Sequence, residues 1–384
     1  MIKQLTFISL GTTLLFSCDT FAVQSKGWKP MAENEKFVIT ALHKARKEQK
    51  EELRSVRKYA PKIVKDSTPE AFDLSAACTT LDQGSLGSCV INAFSGSVHA
   101  LQTLDIFKKQ GGDLQSLQNK TRAKIFETKV EEEKTDPSVI KVANHETIKQ
   151  TISDYMKWIS SSSLRWVSNA SPSHPTYHYS SLKTEISTTS PDIEEIKKTI
   201  PFYSRLFGYR DVLGMQGDIS DTGTDAGTAF LSYQRGWAYE HTYPYNTVKF
   251  TQTPTKDAFT EAALNASKVR VNVSLIDVNS LAPAKIEKVI SSGKLVLLAM
   301  DLFESFESPS VEKTGIVTIP QNHEKRIGGH EMKIVGYDRK AQTFLVNNSW
   351  GPKWGINGFC KVPYEMISNP KYTLELMQIK LASD

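Results

Sequence analysis

A short turn of glycine and serine at residues 84–88 leads directly into a run of apolar and small residues that begins at Cys89. This pattern predicts a tight turn followed by a buried helix, with the cysteine in the first helical turn. Unpaired backbone N–H groups and the positive end of the helix dipole favour a thiolate there. Such a thiol is suited to nucleophilic chemistry, although a free cysteine is also a common small buried hydrophobe.

Other segments supply the groups that a nucleophilic thiol needs. His330 follows two glycines at the start of an apolar strand, and Asn348 lies further along the chain. An amide oxygen on one ring nitrogen fixes the histidine tautomer and leaves the other nitrogen for the thiol. The amide of Gln83, together with the Cys89 N–H, predicts a two-donor oxyanion hole. Trp350 is expected to cover the histidine–asparagine hydrogen bond from water.

Four segments of the chain resemble the papain and cathepsin family of cysteine peptidases, in particular its bacterial members. Three signatures are Gln-Gly-x-x-Gly-Ser-Cys, Gly-His-x-x-x-x-x-Gly-Tyr and Asn-Ser-Trp-Gly-x-x-Trp-Gly-x-x-Gly-Phe, and the fourth ends in Tyr-Pro-Tyr. They stand here at residues 83–89, 329–337, 348–359 and 236–245. The resemblance covers roughly residues 72–102 and 201–384.

This resemblance implies Cys89 as nucleophile, His330 as base and acid, Asn348 as orienter of the base and Gln83 as oxyanion donor. It also implies an α+β papain-like two-lobe fold, with a helical lobe, a β-barrel-like lobe and the active-site cleft between them. The expected partner is a peptide or protein substrate, and no cofactor is implied.

Two further residues are predicted to bind substrate, with Trp350 as a third. Counting back from Gly236 puts Gly223 where the family pairs a glycine backbone with an extended peptide. Glu331 directly follows the base and is predicted to line the pocket that selects the substrate side chain. A carboxylate there would bias the enzyme toward basic side chains.

The chain divides into segments of different character. Residues 23–70 are polar and charged, with a predicted helix from Glu33 to Tyr59, and they stand where such enzymes carry an inhibitory prosegment. A permanent helix or spacer is the alternative for this segment. The catalytic domain is predicted at 71–384, interrupted by a polar helical insertion at 103–200. That insertion brings the Cys89–His330 separation above the roughly 130–150 residues of the papain-type signature.

The N-terminus predicts export. Lys3 precedes an apolar run at residues 5–16 that is too short to span a membrane, and small residues at 20–22 suit a signal peptidase. Residues 1–22 are therefore predicted to be a signal peptide, and the protein to be secreted or periplasmic. A lipoprotein-type box ending at Cys18 is the alternative, which would give a lipid anchor, but Phe16 fits that box poorly.

Composition excludes some partners and leaves others open. The net charge is only +5 over 384 residues, and the sequence contains no Lys/Arg block of the kind that follows a phosphate backbone. Nucleic acid is therefore not expected as a partner. No metal site is predicted, since His174 and His178 lack a neighbouring acidic ligand. Cys78 and Cys360 are either bridged to each other or buried as thiols.

The predicted function is a secreted cysteine endopeptidase that acts through a Cys89 thioester. Two alternatives from other classes stay open at this point. An acyl transferase or deamidase would use the same triad on another acyl substrate. A catalytically dead binding protein on a papain scaffold would not need the complete set of catalytic residues, which this sequence retains.

Overall fold

The computed structural model describes residues 27, 29–31, 36, 68–117, 191–217, 219–279 and 282–382. The predicted signal peptide, the histidines of 174–178 and nearly all of the predicted N-terminal helix therefore lie outside the described residues. The larger part of the predicted insertion does so too.

An open antiparallel sheet forms one half of the structure. Its strands pair in the order β2–β7–β3–β4–β5–β6, and β1 pairs with the end of β4. The strands are β1 (Ala71–Asp73), β2 (Val271–Ile276), β3 (Leu295–Phe303), β4 (Arg326–Asp338), β5 (Thr343–Asn347), β6 (Phe359–Pro363) and β7 (Thr373–Leu381). The three strands predicted at 269–273, 294–298 and 331–337 are thus confirmed, as β2, β3 and β4. β-Branched and aliphatic residues favour strands in these segments.

Helices form the other half of the structure. They are α1 (Cys89–Lys109), α2 (Ile193–Thr199), α3 (Arg205–Met215), α4 (Ala226–Arg235), α5 (Lys256–Asn265), α6 (Pro283–Ser291), α7 (Pro309–Thr314) and α8 (Tyr364–Ile367). None of the helices in the described ranges is long and apolar enough to cross a membrane.

Helix α1 is the central element because it packs against the sheet on one side and against α2, α3 and α4 on the other. Its residues are buried over most of its length, as expected for a helix that is apolar or small on every face. Gly96 leaves room for a side chain of β4, since a Cβ added there would lie 2.7 Å from Lys333 Nζ. Helix α1 therefore packs on the middle of β4.

Two loops distant in sequence join at the N-terminal end of α1. The backbone N–H of Gln83 donates to the carbonyl oxygen of Ser349 at 2.9 Å, and that of Gly351 donates to Leu81 at 2.9 Å. These bonds attach the turn that precedes Cys89 to the Asn-Ser-Trp-Gly segment. The two halves of the catalytic set predicted from sequence meet at this junction.

The structure departs from the sequence expectations at several points. The sheet is not closed among the described strands, so the lobe expected to be barrel-like is an open sheet. Cys78 and Cys360 are both buried free thiols, so they do not form a bridge. Helix α1 continues past position 103 to Lys109, with Phe107 buried, and α2 packs on it. Both ends of the predicted insertion thus belong to elements of the helical half.

Candidate active site

Cys89 begins helix α1, as the glycine- and serine-rich turn predicts, and its side chain is fully buried. Backbone hydrogen bonds from Glu331, Gly27 and Val90 lower the pKa of this thiol, but burial has the larger effect and raises it to about 12. The bond from Glu331 shows that the sulfur lies beside β4, next to His330. While it is buried with this pKa, the Cys89 thiol is protonated at neutral pH.

His330 lies on β4 and is completely buried. Its Nε2 is hydrogen-bonded to Asn348 Oδ1 at 2.8 Å, which is the orienting contact predicted from the sequence. Asn348 is itself fixed, since its Oδ1 also accepts from the Ser349 N–H and its own N–H donates to the Gly358 oxygen. With Nε2 held by Asn348, Nδ1 is the ring nitrogen left for chemistry with a thiol.

Trp350 packs against this pair. Its ring centroid lies 5.0 Å from that of His330, and it contacts Phe306 and Trp354 on its other sides. Only 6% of Trp350 is exposed, so it excludes water from the His330–Asn348 contact as predicted. Its role in substrate binding stays a prediction.

Gln83 is fully buried in the turn before Cys89. Its Oε1 accepts from Ser349 Oγ at 2.6 Å, and its Nε2 donates to the Leu86 oxygen at 2.8 Å. These contacts fix the amide with its nitrogen on the side of the turn that leads to Cys89. The amide nitrogen carries a second hydrogen, and its role as the oxyanion donor stays a prediction.

Residues near the N-terminus occupy the groove beside the thiol, a contact that the sequence analysis did not find. The Thr224 N–H donates to Gly27 O at 2.7 Å, and the Lys29 N–H donates to Thr224 O at 2.7 Å. Thr224 thus bonds through its N–H and its carbonyl oxygen to two positions of the N-terminal segment. This is the pairing of β-strand addition, in which an extended backbone adds to an exposed edge. Met31 is 3% exposed and packs on Gly227.

The fit between this segment and the groove is tight on both sides. A Cβ added to Gly27 would lie 1.5 Å from the Gly87 oxygen, and one added to Gly223 would lie 2.0 Å from the Gly27 oxygen. Gly223 also has φ of +74°, a conformation that favours glycine. The pairing hydrogen bonds are made by the neighbouring Thr224, while Gly223 allows the close approach, so the substrate-binding role predicted for Gly223 stays a prediction. The backbone that pairs there belongs to this chain.

A polar network that the sequence analysis missed supports the oxyanion turn. The Tyr245 hydroxyl donates to Gln83 O at 2.8 Å and lies 2.6 Å from Ser88 Oγ. The Arg205 guanidinium lies over the Tyr245 ring, 4.0 Å from its centroid, and donates to Asp82 O at 3.0 Å. Tyr245 is the last residue of the Tyr-Pro-Tyr sequence, and that motif was the sequence signal that could have pointed to this network.

Glu331, predicted to line a substrate pocket, is 1% exposed. Burial raises the pKa of its carboxyl well above the usual value, and the charges of Glu375 and Asp225 raise it further. Its role in substrate selection stays a prediction at this point. Within the described ranges, no group of three or more His, Cys, Asp and Glu residues is arranged to hold a metal ion.

A thiol at a helix N-terminus, a histidine held by asparagine on a neighbouring sheet and a glutamine between them define a papain-like protein. The model of the papain family of cysteine proteases matches residues 217–374, which include His330 and Asn348 but not Cys89. The described residues also share their fold with xylellain, a cysteine protease from Xylella fastidiosa. That match has a TM-score of 0.55 at 16% identity and covers 94% of this chain and 98% of xylellain.

Similar sequences point the same way. An uncharacterized peptidase C1-like protein of Acanthamoeba polyphaga mimivirus is 31% identical over 185 residues, which are 47% of this chain and 60% of the viral protein. Human cathepsin L2 is 33% identical over 91 residues, which are 21% of this chain and 26% of the cathepsin. The chain thus spans less than two thirds of the length of either relative. In its matched residues the chain is similar to the papain family of cysteine proteases, and it shares the papain-like fold.

Proposed function

We propose that the protein is a cysteine endopeptidase that hydrolyses peptide bonds through a Cys89 thioester. The observation that carries this proposal is the 2.8 Å contact of His330 Nε2 with Asn348, beside a thiol at the start of α1. This arrangement supplies a nucleophile, a base of fixed tautomer and an orienting group. The intact set argues against a dead scaffold.

In the proposed reaction, the Cys89 proton passes to His330 Nδ1 and the sulfur attacks the carbonyl carbon of the substrate. The Cys89 N–H and the Gln83 amide stabilise the oxyanion that forms. His330 then donates the proton to the leaving amine as the C–N bond breaks, which leaves a thioester. Water attacks the thioester while His330 takes its proton, and the C–S bond breaks to release the acid and the thiol.

We further propose that the N-terminal segment holds the enzyme in an inactive form. Gly27 and Lys29 occupy the groove edge at Gly223 and Thr224 that an extended substrate needs. The same segment buries the Cys89 sulfur, and burial keeps the thiol pKa near 12. Displacement or removal of the segment is therefore required before substrate enters.

The test of the peptidase proposal uses the full mature chain, the same chain with Gly27→Val, and each with Cys89→Ala. Valine at position 27 cannot be accommodated against Gly87, so the segment leaves the groove. We expect the Gly27→Val chain to give one covalent adduct with a peptidyl epoxide and to cleave a fluorogenic peptide library, and the unsubstituted chain to do both more slowly. Both are lost with Cys89→Ala and kept with Cys360→Ala, which removes a buried thiol elsewhere.

Other outcomes of that experiment identify the alternatives. Folded protein that gives neither adduct nor cleavage would sink the peptidase proposal and favour a binding protein. An adduct at Cys89 with transfer of the acyl group to an added amine, and little hydrolysis, would favour an acyl transferase. Release of ammonia from glutamine peptides would favour a deamidase.

We also propose that the protein is exported, on the basis of the charged start and the apolar run at residues 5–16. Expression of the full chain in a bacterial host, followed by fractionation and N-terminal sequencing, tests this. Cleavage after Ala22 supports a signal peptide, whereas a lipid on Cys18 supports an anchor. Retention of Met1 in the cytoplasmic fraction would refute export.

A further inference from the structure

Two loops that are distant in sequence contact Gly27 closely. Gly87 belongs to the turn before Cys89, and Gly223 belongs to the groove edge. Neither contact leaves room for a Cβ, at Gly27 in the first case or at Gly223 in the second. Gly27 therefore lies between the turn that leads to the nucleophile and the edge. A substrate backbone in its place would have to fit between the same two loops.

The Asp221 carboxylate connects these two loops. Its Oδ1 accepts from the Gly87 N–H at 2.8 Å and from the Tyr209 hydroxyl at 2.5 Å. The Tyr209 oxygen in turn accepts from the Gly223 N–H at 3.2 Å. A continuous path of three hydrogen bonds therefore joins the groove edge to the turn before Cys89.

Tyr209 anchors this path in the helical half. It lies on α3 and is fully buried, whereas Asp221 lies at the surface. Burial raises the pKa of the Tyr209 hydroxyl, and the charges of Asp221 and Cys89 raise it further. The hydroxyl is therefore protonated and donates to Asp221, and it lies within electrostatic range of the nucleophile.

A carboxylate is well suited to hold two loops at this place. Hydrogen bonds to an ionised oxygen are roughly twice as strong as bonds between neutral groups, and Asp221 takes two of them on one oxygen. Because Asp221 is exposed, its charge keeps contact with water and avoids most of the cost of desolvation. Its contact with Gly87 spans 134 residues of sequence, so local backbone preferences cannot set the spacing of the loops.

We propose that Asp221 is a positioning residue, which holds the groove edge and the turn before Cys89 at the spacing that an extended peptide substrate needs. The proposal rests on the peptidase function proposed above and adds a residue to that site. Asp221 acts on the edge through the Tyr209 hydroxyl and on the nucleophile through the Gly87 N–H. A displaced edge weakens substrate binding, whereas a displaced nucleophile slows attack, since misplacement by about 1 Å costs up to about 10²-fold.

The first variant removes the contact with the edge. Tyr209→Phe keeps the bond from Gly87 to Asp221 but takes the acceptor from the Gly223 N–H. In the Gly27→Val chain, we expect KM for an extended peptide to rise at least about fivefold with kcat within about twofold, because a lost hydrogen bond loosens the edge. A short ester substrate that does not reach the edge should keep its kcat/KM.

The second variant removes the contact with the turn. Asp221→Ala takes the acceptor from both the Gly87 N–H and the Tyr209 hydroxyl. We expect attack by Cys89 to slow at least about tenfold, in kcat for the peptide and in kcat/KM for the ester, because bonds to a charged group are the stronger ones. Asp221→Asn keeps an oxygen at that place and should recover most of the loss.

Tyr364→Phe and Asp113→Ala are the matched controls, made in the same Gly27→Val chain. The first removes a tyrosine hydroxyl that bonds to the Glu287 carboxylate at 2.8 Å. The second removes an exposed carboxylate that accepts from the Gln115 N–H at 3.0 Å. Both should keep the kinetic constants of the parent chain. Tyr209→Phe alone carries the test if Asp221→Ala does not fold.

Hydrogen exchange at the Gly87 and Gly223 amides gives a readout that needs no cleavage. NMR with glycine-selective labelling should show exchange at least about fivefold faster at Gly223 with Tyr209→Phe, and at Gly87 with Asp221→Ala. Unchanged exchange, or parent-like kinetic constants in both variants, would overturn the positioning role and leave the peptidase standing. Equal losses on peptide and ester with Tyr209→Phe would overturn it too. Faster exchange without any cleavage by the parent chain would overturn the peptidase proposal and leave Asp221 as the link between the two loops.

Discussion

The two side chains proposed to be catalytic, Cys89 and His330, are in opposite conditions. His330 is held by Asn348 and covered by Trp350, so the base has its orientation already. Cys89 is covered by the segment at Gly27, and burial raises the pKa of its thiol to about 12. The base is therefore assembled while the nucleophile is withheld from solvent and from the thiolate form.

This difference shows how activity can be controlled without disturbing the catalytic geometry. The segment reaches the groove edge through backbone hydrogen bonds at Thr224, and these need no change in His330 or Asn348. Substitutions in the assembled part of the site, around His330 and Asn348, should therefore change kcat. Substitutions in the segment should act on access, with the chemistry unchanged once the groove is open.

The largest effect expected within this comparison is that of Gln83→Ala in the Gly27→Val chain. Loss of an oxyanion donor should lower kcat by about 10²–10³-fold with little change in KM, because the amide acts mainly on the developing charge. Steady-state kinetics on one peptide substrate measures this. Gln321→Ala, at an exposed site, is the matched control. A raised KM with unchanged kcat would mean that Gln83 binds the ground state.

A smaller effect is expected when Gly27→Val is compared with the wild-type chain. Forcing a side chain into packed surroundings costs about 1–3 kcal/mol or more, which favours the open groove by about 5–150-fold. Alkylation of Cys89 at neutral pH should accelerate by that factor. Its pH midpoint should fall below about 12, since loss of burial removes the cause that raises the thiol pKa.

Lys29→Ala is the control for that comparison, because it keeps the backbone N–H that pairs with Thr224. It should label at the wild-type rate. Equal rates and equal pH midpoints for wild type and Gly27→Val would show that the segment does not govern access. Cys89 would then not be withheld by the segment, and the proposed contrast with the assembled His330 would be lost.

The catalytic groups were accessible to sequence reasoning because each lies in a local pattern. The Gly/Ser turn before Cys89 and the Asn-Ser-Trp-Gly segment indicate local backbone geometry, and the structure brings them together through the Gln83–Ser349 contacts. β-Branched and aliphatic residues likewise indicated β2, β3 and β4. Local patterns were enough for these elements.

Other features depend on contacts between distant segments, which no local pattern carries. The approach of Gly27 to Gly223 requires the path of the N-terminal segment across the groove. The alignment of Glu331, Ala299 and Glu375 across the sheet requires the register of three strands, and a shift by one residue would turn a side chain to the other face. Sequence reasoning could therefore name Glu331 but not the residues that lie beside it in the sheet.

The smallest predicted effect concerns the support of the oxyanion turn. Tyr245→Phe removes the hydroxyl that bonds to Gln83 O and Ser88 Oγ but keeps the ring beneath the Arg205 guanidinium. A net loss of about 1 kcal/mol for such a bond corresponds to roughly a fivefold fall in kcat, with KM unchanged. The measurement is steady-state kinetics in the Gly27→Val chain, together with thermal unfolding.

Tyr364→Phe is the matched control, because its hydroxyl bonds to Glu287 at 2.8 Å in another part of the sheet half. It should lower the unfolding temperature without lowering kcat. If Tyr245→Phe and Tyr364→Phe both lose stability and neither loses turnover, Tyr245 only stabilises the fold. A fall in kcat for Tyr245→Phe alone would extend the assembled part of the site from His330 and Asn348 to the turn that carries Gln83.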